Sequence, residues 1–218
     1  RGNSAFNLSP IGGDYTKLVP VVNYTYDNEE IAPHRYSVVL DEENIEVDYA
    51  PSHQSGIYSI DFEEDVLNKL IINTRNGQLE AYENGVKGWQ LIGSGPTKVY
   101  LYLETEQPVS NIGALDKESS SINYKTKSVE GQNEALVLEF DAKKLNLRYG
   151  ISFISEDQAK KNLRREINTY NVDEVAKIGR DQWNDALGKI NISGGSKDDK
   201  TIFYTSLYRI YERMINIS

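Results

Sequence analysis

The 218-residue sequence has no cysteine, only two histidines and only one methionine. The absence of cysteine excludes disulfide bonds and thiolate metal sites, and it argues against a small domain held together by disulfides. Two histidines without cysteine make a zinc site a poor interpretation. Every apolar run is also far shorter than the roughly 20 residues that a membrane-spanning helix needs. We therefore predict no such helix.

The sequence also has fewer basic residues than acidic ones. Lysine and arginine total 24 against 33 aspartates and glutamates, which gives a net charge of −9. Because an acidic chain repels the phosphate backbone, nucleic-acid binding is disfavoured. The acidic residues fall in short runs that are typical of solvated turns, and no two of them form a recognisable pair of a general acid and a general base. No nucleophile elbow accompanies His34 or His53, so a Ser/His/Asp triad is not indicated either.

Many short strand patterns occupy residues 14–154. Apolar and polar residues alternate strictly in residues 45–49 and 57–62, as in half-buried strands. Other strand patterns cover residues 18–22, 36–40, 99–104, 135–140 and 145–154. Short strands at this spacing predict an antiparallel β-sandwich.

A three-stranded meander is predicted over residues 67–93. The dipeptides Asn76-Gly77 and Asn84-Gly85 separate its apolar runs, and such dipeptides favour two-residue hairpin turns because both residues accept positive φ. Residues 113–121 are polar and show no period, so we predict a loop there.

A helical period replaces the strand pattern at Ser155. Ser155 and Gln158 form a capping-box pattern, and Asn171 is a suitable cap for a second helix. The predicted apolar side of the second helix is Val175, Ile178, Trp183, Leu187 and Ile190. A third helix is predicted to begin near residues 196–199, with a buried stripe of Ile202, Phe203, Leu207, Ile210 and Met214.

The third helix is so apolar that it needs a neighbour, and the sequence supplies none after it. The sequence also begins without an initiator methionine and shows no signal peptide. We therefore expect it to be part of a longer protein in which a helical domain follows.

The residues of this tail resemble glycoside hydrolase family 92. The resemblance rests on residues 150–155 with Ala159, Asn162-Leu163 and Glu166-Ile167, on Trp183-Asn184, and on residues 203–209, which read FYTSLYR. Glu30-Ile31-Ala32-Pro33 adds a looser match. The resemblance implies a mainly β fold, an antiparallel β-sandwich of the galactose-mutarotase-like supersandwich type, followed by linker helices and an (α/α)6 barrel. It divides the sequence into a sandwich at 1–154, linker helices at 155–195 and the start of the barrel at 196–218.

Family resemblance further implies a bacterial, calcium-dependent exo-α-mannosidase, often specific for α-1,2 links, that inverts the anomeric carbon. The family's acid, base and calcium ligands lie in the barrel, so none is assigned to this sequence, and we expect the chain alone to be inactive. The implied partners are the barrel itself and mannose-containing glycans, without nucleic acid. The implied location is the periplasm, the outer surface or the medium.

Four residues are candidates for contacts with the sugar, because the sandwich of the family lends loops to the pocket. They are Phe6, Asn7, Ser9 and Glu30. The loop at residues 6–13 lacks the histidine usual in the family, which leaves the linkage specificity open. A stand-alone carbohydrate-binding module, with Trp89 stacking on a sugar ring, is the alternative interpretation, and a structural or adhesin-like sandwich is a third.

Overall fold

The computed structural model describes residues 5–12, 18–41, 44–63, 67–93 and 95–211. Within these ranges there are twelve strands followed by three helices. The strands are β1 Phe6–Ile11, β2 Tyr26–Ala32, β3 Arg35–Leu40, β4 Ile45–Pro51, β5 Ser55–Asp61, β6 Leu67–Tyr82, β7 Gly85–Leu91, β8 Lys98–Thr105, β9 Asn111–Asp116, β10 Ser121–Asn123, β11 Ser128–Asp141 and β12 Lys144–Ser152. The helices are α1 Glu156–Glu166, α2 Val172–Gly188 and α3 Lys197–Tyr211.

All twelve strands belong to one antiparallel hydrogen-bonded network. Its order is β10-β9-β11-β6-β7-β8-β12-β5-β4-β3-β2, with β1 on β6. Strand β6 is long enough to pair with β1 along its first half and with β7 along its second half, while β11 runs along its other side. The predicted mainly antiparallel β fold with C-terminal helices is confirmed.

The main core lies between the two halves of this network. Val38, Ile45 and Ile60 from one half share a cluster with Ile72 and Leu138 from the other. Side chains alternate between the faces of a strand, so each of these strands sends its other face outward. The network therefore folds over on itself as a sandwich.

Helices α1 and α2 cover part of the outer face of strands β4, β5, β8 and β12. Ala159 and Leu163 of α1 and Val175 of α2 pack there against Ala50 and Ile57. The approach of α1 is close: a Cβ on Gly150 would lie 2.2 Å from the carbonyl oxygen of Ala159. This apolar patch fixes both helices to the sandwich.

Both predicted helix caps are confirmed. Ser155 accepts a hydrogen bond from the Gln158 amide, and Asn171 accepts from the amides of Asp173 and Glu174. The Gln158 side chain bonds Asn162 rather than returning to Ser155.

The predicted turn at Asn76-Gly77 is wrong. A hairpin does join β6 to β7, but its two-residue turn is Glu83-Asn84, because Gly85 already pairs with Tyr82, and neither Asn84 nor Gly85 has a positive φ. Strand β6 continues through Gly77, which pairs with Gln90 on β7 and with Gly131 on β11. A Cβ on Gly77 would lie 2.0 Å from the Trp89 carbonyl oxygen. The glycine is therefore needed for a close approach of two strands and not for a turn.

Two other strand predictions are also wrong. The loop predicted at residues 113–121 is wrong for Gly113 to Asp116, which lie in β9 between β11 and β10, whereas residues 117–120 do form a turn. Residues 18–22 are not a strand, although Leu18 and Val22 are buried in a small cluster with Ile11. The apolar run there fills a core position without joining the sheet.

The predicted buried faces of α2 and α3 need correction too. On α2 the buried residues are Val172, Val175 and Ala176, whereas Ile178 is 55% exposed. No described residue of α3 is buried, and Ile202 and Ile210 are each 65% exposed. The predicted stripe residue Met214 lies outside the described residues. Among the described residues, no helix is long and apolar enough to cross a membrane.

Candidate functional site

Three of the four predicted sugar-contact residues lie together on β1. Phe6, Asn7 and Ser9 line a mostly apolar cavity of about 510 Å³ whose other walls include Tyr58 and Tyr149. Asn7 donates to Asn73 at 3.2 Å, and Ser9, which is 2% exposed, accepts from the Val22 amide at 3.3 Å. These polar groups are thus engaged within the sandwich, and their assignment as sugar contacts stays a prediction.

Glu30, the fourth predicted residue, lies elsewhere. It is exposed on β2 and lines a different cavity of about 740 Å³ together with His34, Arg180 and Asp181. The structure therefore does not bring Glu30 into one cavity with Phe6, Asn7 and Ser9. Instead, Glu30 pairs with Ser37 of β3 and begins a row of polar residues across the sheet.

This row, which we call the polar row, crosses five adjacent strands on the outer face of the sandwich. Ser37 pairs with Asp48, Asp48 with Ser59, and Ser59 with Asn146. Residues directly opposite each other in antiparallel strands point to the same face. Glu30, Ser37, Asp48, Ser59 and Asn146 therefore share one face, next to the patch that α1 and α2 cover.

A second row of the same face runs parallel to the polar row. Glu46 pairs with Asp61, which in turn pairs with Lys144. Lys144 donates to Asp61 at 3.0 Å. Strand register brings these residues together from distant points of the chain. For this reason there is little local signal for the site in the sequence. The only hint is the alternation of polar residues in β4 and β5.

Apart from Glu30, the residues of the two rows form the floor of an open groove of about 870 Å³. One wall is residues 169–173, which are the end of the connection between α1 and α2, the Asn171 cap and the first two residues of α2. Arg35 closes the groove at one side, since it bonds Asp48 at 2.9 Å through Nε and Asp173 of α2 at 2.8 Å. We call this cavity the outer-face groove.

Two buried polar atoms of the outer-face groove have no hydrogen-bond partner among the described residues. They are Oγ of Ser59 and Oδ1 of Asn146. Ser59 is only 8% exposed. The amide nitrogen Nδ2 of Asn146 is engaged, because it donates to Glu106 at 2.6 Å. Unpaired buried acceptors are uncommon in folded proteins.

Tyr170 supplies an aromatic side to the outer-face groove. Its hydroxyl donates to Glu104 at 3.3 Å, and the Arg148 guanidinium lies 4.3 Å from its ring centre. Arg148 also donates to Glu104 at 2.7 Å and to the carbonyl of Ile167 at 3.0 Å. The ring is therefore held in place before any ligand arrives.

Glu104 is the centre of the charge network behind Tyr170. It is 7% exposed and accepts hydrogen bonds from Arg148 and, at 2.6 Å, from Arg164 of α1. Burial opposes ionisation of the Glu104 carboxyl, but hydrogen bonds from Arg164 and Arg148 outweigh it and hold its pKa below the ordinary value. The network joins β8 and β12 to the helices.

Neither histidine contributes to the outer-face groove. His34 lies in the turn between β2 and β3, where burial and the charges of Arg180 and Arg35 lower its pKa. His53 is exposed. Nowhere in the described ranges do three His, Asp or Glu side chains come together in a way that could hold a metal ion.

Trp89, the sugar-stacking residue of the alternative interpretation, is engaged within the sheet. Its indole nitrogen donates to Gln78 at 2.9 Å, and the Lys98 ammonium lies 3.5 Å from its ring centre. With a lysine over its ring, Trp89 does not provide a bare aromatic platform.

The chain is of the mainly β class, a β-sandwich followed by helices that pack on its outer face. Comparison with known families identifies the family within this class. Residues 3–152 match the glycosyl hydrolase family 92 N-terminal domain, and residues 158–218 match the glycosyl hydrolase family 92 catalytic domain. The chain belongs to glycosyl hydrolase family 92.

Solved structures of the family have the same fold. The chain is similar to the inverting mannosidase BT2199 of Bacteroides thetaiotaomicron, with a TM-score of 0.81 and 24% identity over 94% of the chain. The α-mannosidase BT3965 of the same organism gives 0.82 with 21% identity over 94%. A family 92 hydrolase, ccman5, gives 0.83 with 18% identity over 100%. The chain covers 29%, 32% and 33% of these proteins, respectively.

One curated relative matches in sequence. It is an uncharacterized secreted glycosidase of Arthroderma benhamiae, 33% identical over 70 residues, which make up 30% of this chain and 9% of the relative.

Proposed function

We propose that the chain belongs to a longer α-mannosidase that removes terminal mannose from glycans with inversion, with α-1,2 links as the first substrates to test. The observation that carries the proposal is the match to both family 92 domains in consecutive order. Two of the structural relatives are named mannosidases, and one is named inverting. An inverting enzyme needs one carboxylic acid to protonate the leaving oxygen and one carboxylate to activate water.

The family's calcium does not fit the described part of this chain, where no suitable group of three carboxylate or histidine ligands exists. We therefore derive no catalytic step through the metal. We propose that its ligands, the acid and the base lie in the remainder of the longer protein, and that the present chain alone is inactive. Phe6, Asn7, Ser9 and Glu30 remain our proposed sugar-side contacts of the sandwich.

In this proposal the present chain positions the helices that lead from the sandwich into the catalytic domain. The network around Glu104 joins Arg148 of the sandwich to Arg164 of α1, and Arg35 of β3 bonds Asp173 of α2. These bonds, together with the apolar patch under α1 and α2, fix where the helices leave the sandwich. The first helices of the region that matches the catalytic domain, from residue 158 onward, would thus be held in a fixed position on the sandwich.

We also propose an extracytoplasmic location, in the periplasm, on the outer surface or in the medium. The support is the secreted glycosidase that matches part of the chain.

The test is an activity assay on the longer protein and on the 218-residue chain side by side. We expect the longer protein to release mannose from α-1,2-mannobiose, to lose this activity when a chelator removes calcium, and to regain it when calcium is restored. We expect the 218-residue chain to release none. Absence of mannosidase activity from the longer protein would refute the proposed function, and activity of the short chain would refute its inactivity.

A further inference from the structure

We infer that the exposed apolar side chains of strand β2 and of the turn after it are the surface on which the remainder of the catalytic domain docks. The surface consists of Tyr26, Ile31 and Pro33, and we call it the β2 docking face. The inference rests on the proposed function, because it takes the chain to be part of a longer protein. It deepens that function by naming the part of the sandwich that receives the catalytic domain.

Tyr26 and Ile31 lie on the core-facing side of the sheet, although both are largely exposed. Tyr26 pairs with Leu40, and Ile31 pairs with Tyr36. Leu40 is part of the main core, and Tyr36 packs against it. Residues directly opposite each other in antiparallel strands point to the same face. Tyr26 and Ile31 therefore extend the apolar inner face of the sandwich, yet they are 56% and 74% exposed.

A β-bulge in β2 places these two side chains on the same side. The register shifts between Asp27 and Glu30, where β2 contains one residue more than β3, and Asn28 has a positive φ of 51°. Without the extra residue, Tyr26 and Ile31 would point to opposite faces, because successive side chains alternate along a strand. The bulge thus gathers the apolar side chains of β2 into one surface.

Strand β2 is also the last strand in the order of the described network. An edge strand that exposes apolar side chains is prone to unwanted association, and a contiguous exposed apolar surface marks an interaction site. The β2 docking face therefore indicates a partner with an apolar surface of its own.

Helix α3 indicates which partner this is. Ile31 and Pro33 line a mostly apolar cavity of about 590 Å³ together with Tyr204 and Tyr208 of α3. Helix α3 lies within residues 158–218, which match the family 92 catalytic domain. The sandwich and the first part of the catalytic domain thus already meet at the β2 docking face.

The remainder of the catalytic domain is the natural continuation of this contact. The chain covers only 29%, 32% and 33% of its structural relatives, so most of such a domain would follow α3. Ile202 and Ile210 of α3, each 65% exposed, offer it further apolar contacts. A domain linked to α3 is also present near the β2 docking face at a high effective concentration. This favours it over a second copy of the chain or a separate protein.

The experiment compares hydrogen exchange of the backbone amides of β2 and β3 in the present chain and in the longer protein. Amides of an uncovered edge strand exchange through local opening that requires little free energy. We expect these amides to exchange at least roughly tenfold more slowly in the longer protein, the factor that corresponds to burying an isoleucine side chain.

Two isoleucine variants provide the matched comparison. Ile154, between β12 and α1, is 62% exposed but does not line the cavity next to α3. Threonine keeps the β-branch that suits a strand, but it loses hydration of its hydroxyl when it is buried. In the longer protein, Ile31→Thr should speed up exchange of the β2 amides roughly fivefold to tenfold, whereas Ile154→Thr should leave it unchanged. In the present chain neither variant should change it.

Three results would overturn the inference. They are equal exchange of β2 in the two proteins, equal effects of Ile31→Thr in the two proteins, and protection that disappears on dilution together with a dimer in analytical ultracentrifugation, since a second copy would then be the occupant. An inactive longer protein with a protected β2 would refute only the proposed function. An active longer protein with an unprotected β2 would refute only the present inference.

Discussion

Gly77 and Gly88 show how single residues determine the packing of two strands. A Cβ on Gly77 of β6 would lie 2.0 Å from the Trp89 carbonyl oxygen, and a Cβ on Gly88 of β7 would lie 2.0 Å from the Gln78 carbonyl oxygen. Both distances are to backbone atoms, which cannot swing aside as the end of a side chain can. The two strands therefore approach each other through positions where a side chain has no space.

Gly77→Ala is expected to lower the free energy of unfolding by about 2 kcal/mol, the effect of forcing an extra methyl group into a packed region. Urea denaturation of the chain measures this. Gly95→Ala is the matched control, because a Cβ there meets no described atom within 4 Å, and it should change the free energy by no more than about 0.5 kcal/mol. Equal effects of the two variants would show that β6 and β7 are not so close.

Glu104→Gln tests the charge network at neutral pH. The substitution leaves the guanidinium groups of Arg148 and Arg164 without their anionic partner, and we expect a loss of about 3 kcal/mol at pH 7. Glu106→Gln, at an exposed position two residues further along the chain, should cost about 0.5 kcal/mol or less. Denaturant titration of the three proteins makes the comparison.

We also expect the effect of Glu104→Gln on stability to depend on pH. Because the folded protein holds the pKa of Glu104 below the ordinary value of 4.5, the stability from its ionisation is fully present above 4.5 and is lost as pH falls through the lower, folded-state pKa. The difference in stability between wild type and Glu104→Gln should therefore shrink as pH falls below 4.5. A difference that stays constant into acid would contradict the assigned direction of the shift.

The stability of helix α1 depends on the hydrogen bond and the charges of its first turn. Ser155 accepts from the Gln158 amide at 3.1 Å, and Glu156 and Asp157 place negative charge near the helix N-terminus. Ser155→Ala should lower the free energy of unfolding by about 1 kcal/mol, and Ser155→Asp, which keeps an acceptor at the cap, should restore most of it. Thermal denaturation of the three proteins would disprove a capping role if Asp behaved as Ala does.

The accuracy of sequence prediction differed between elements for physical reasons. The helix caps at Ser155 and Asn171 were predictable because a cap is a contact within four residues. Strand β9 was missed because Gly113 must be small: a Cβ there would lie 2.5 Å from the Ile122 side chain. Crowding by a neighbouring strand thus keeps a glycine inside β9, and a glycine weakens the pattern by which a strand is normally recognised.

The outer-face groove was unpredictable for a related reason. Ser37, Asp48, Ser59 and Asn146 are separated by eleven or more residues each, and only strand register places them side by side. Register depends on the whole fold and not on any local pattern. The sequence-based candidates on β1 reflected a family resemblance, and the structure places them in a cavity of their own.

Three tyrosines of the sandwich make the stability of the whole molecule depend on pH. Tyr49, Tyr58 and Tyr149 come from three adjacent strands, with ring centres 4.5 Å apart between the first two and 6.2 Å apart between the last two. The hydroxyls of Tyr49 and Tyr149 are 2.9 Å apart. Burial raises the pKa of all three phenols above the ordinary value of 10.0.

An unfolded chain releases these protons near pH 10, whereas the folded sandwich retains them to higher pH. The stability that this provides is fully present below pH 10 and is lost as pH rises through the raised pKa values. An absorbance titration should therefore show part of the 15 tyrosines ionising only together with unfolding. Tyr58→Phe should move the unfolding midpoint to higher pH, because one fewer proton is released on unfolding. If all tyrosines ionised before the circular dichroism signal of the sheet changed, the phenols would not be buried in the folded molecule.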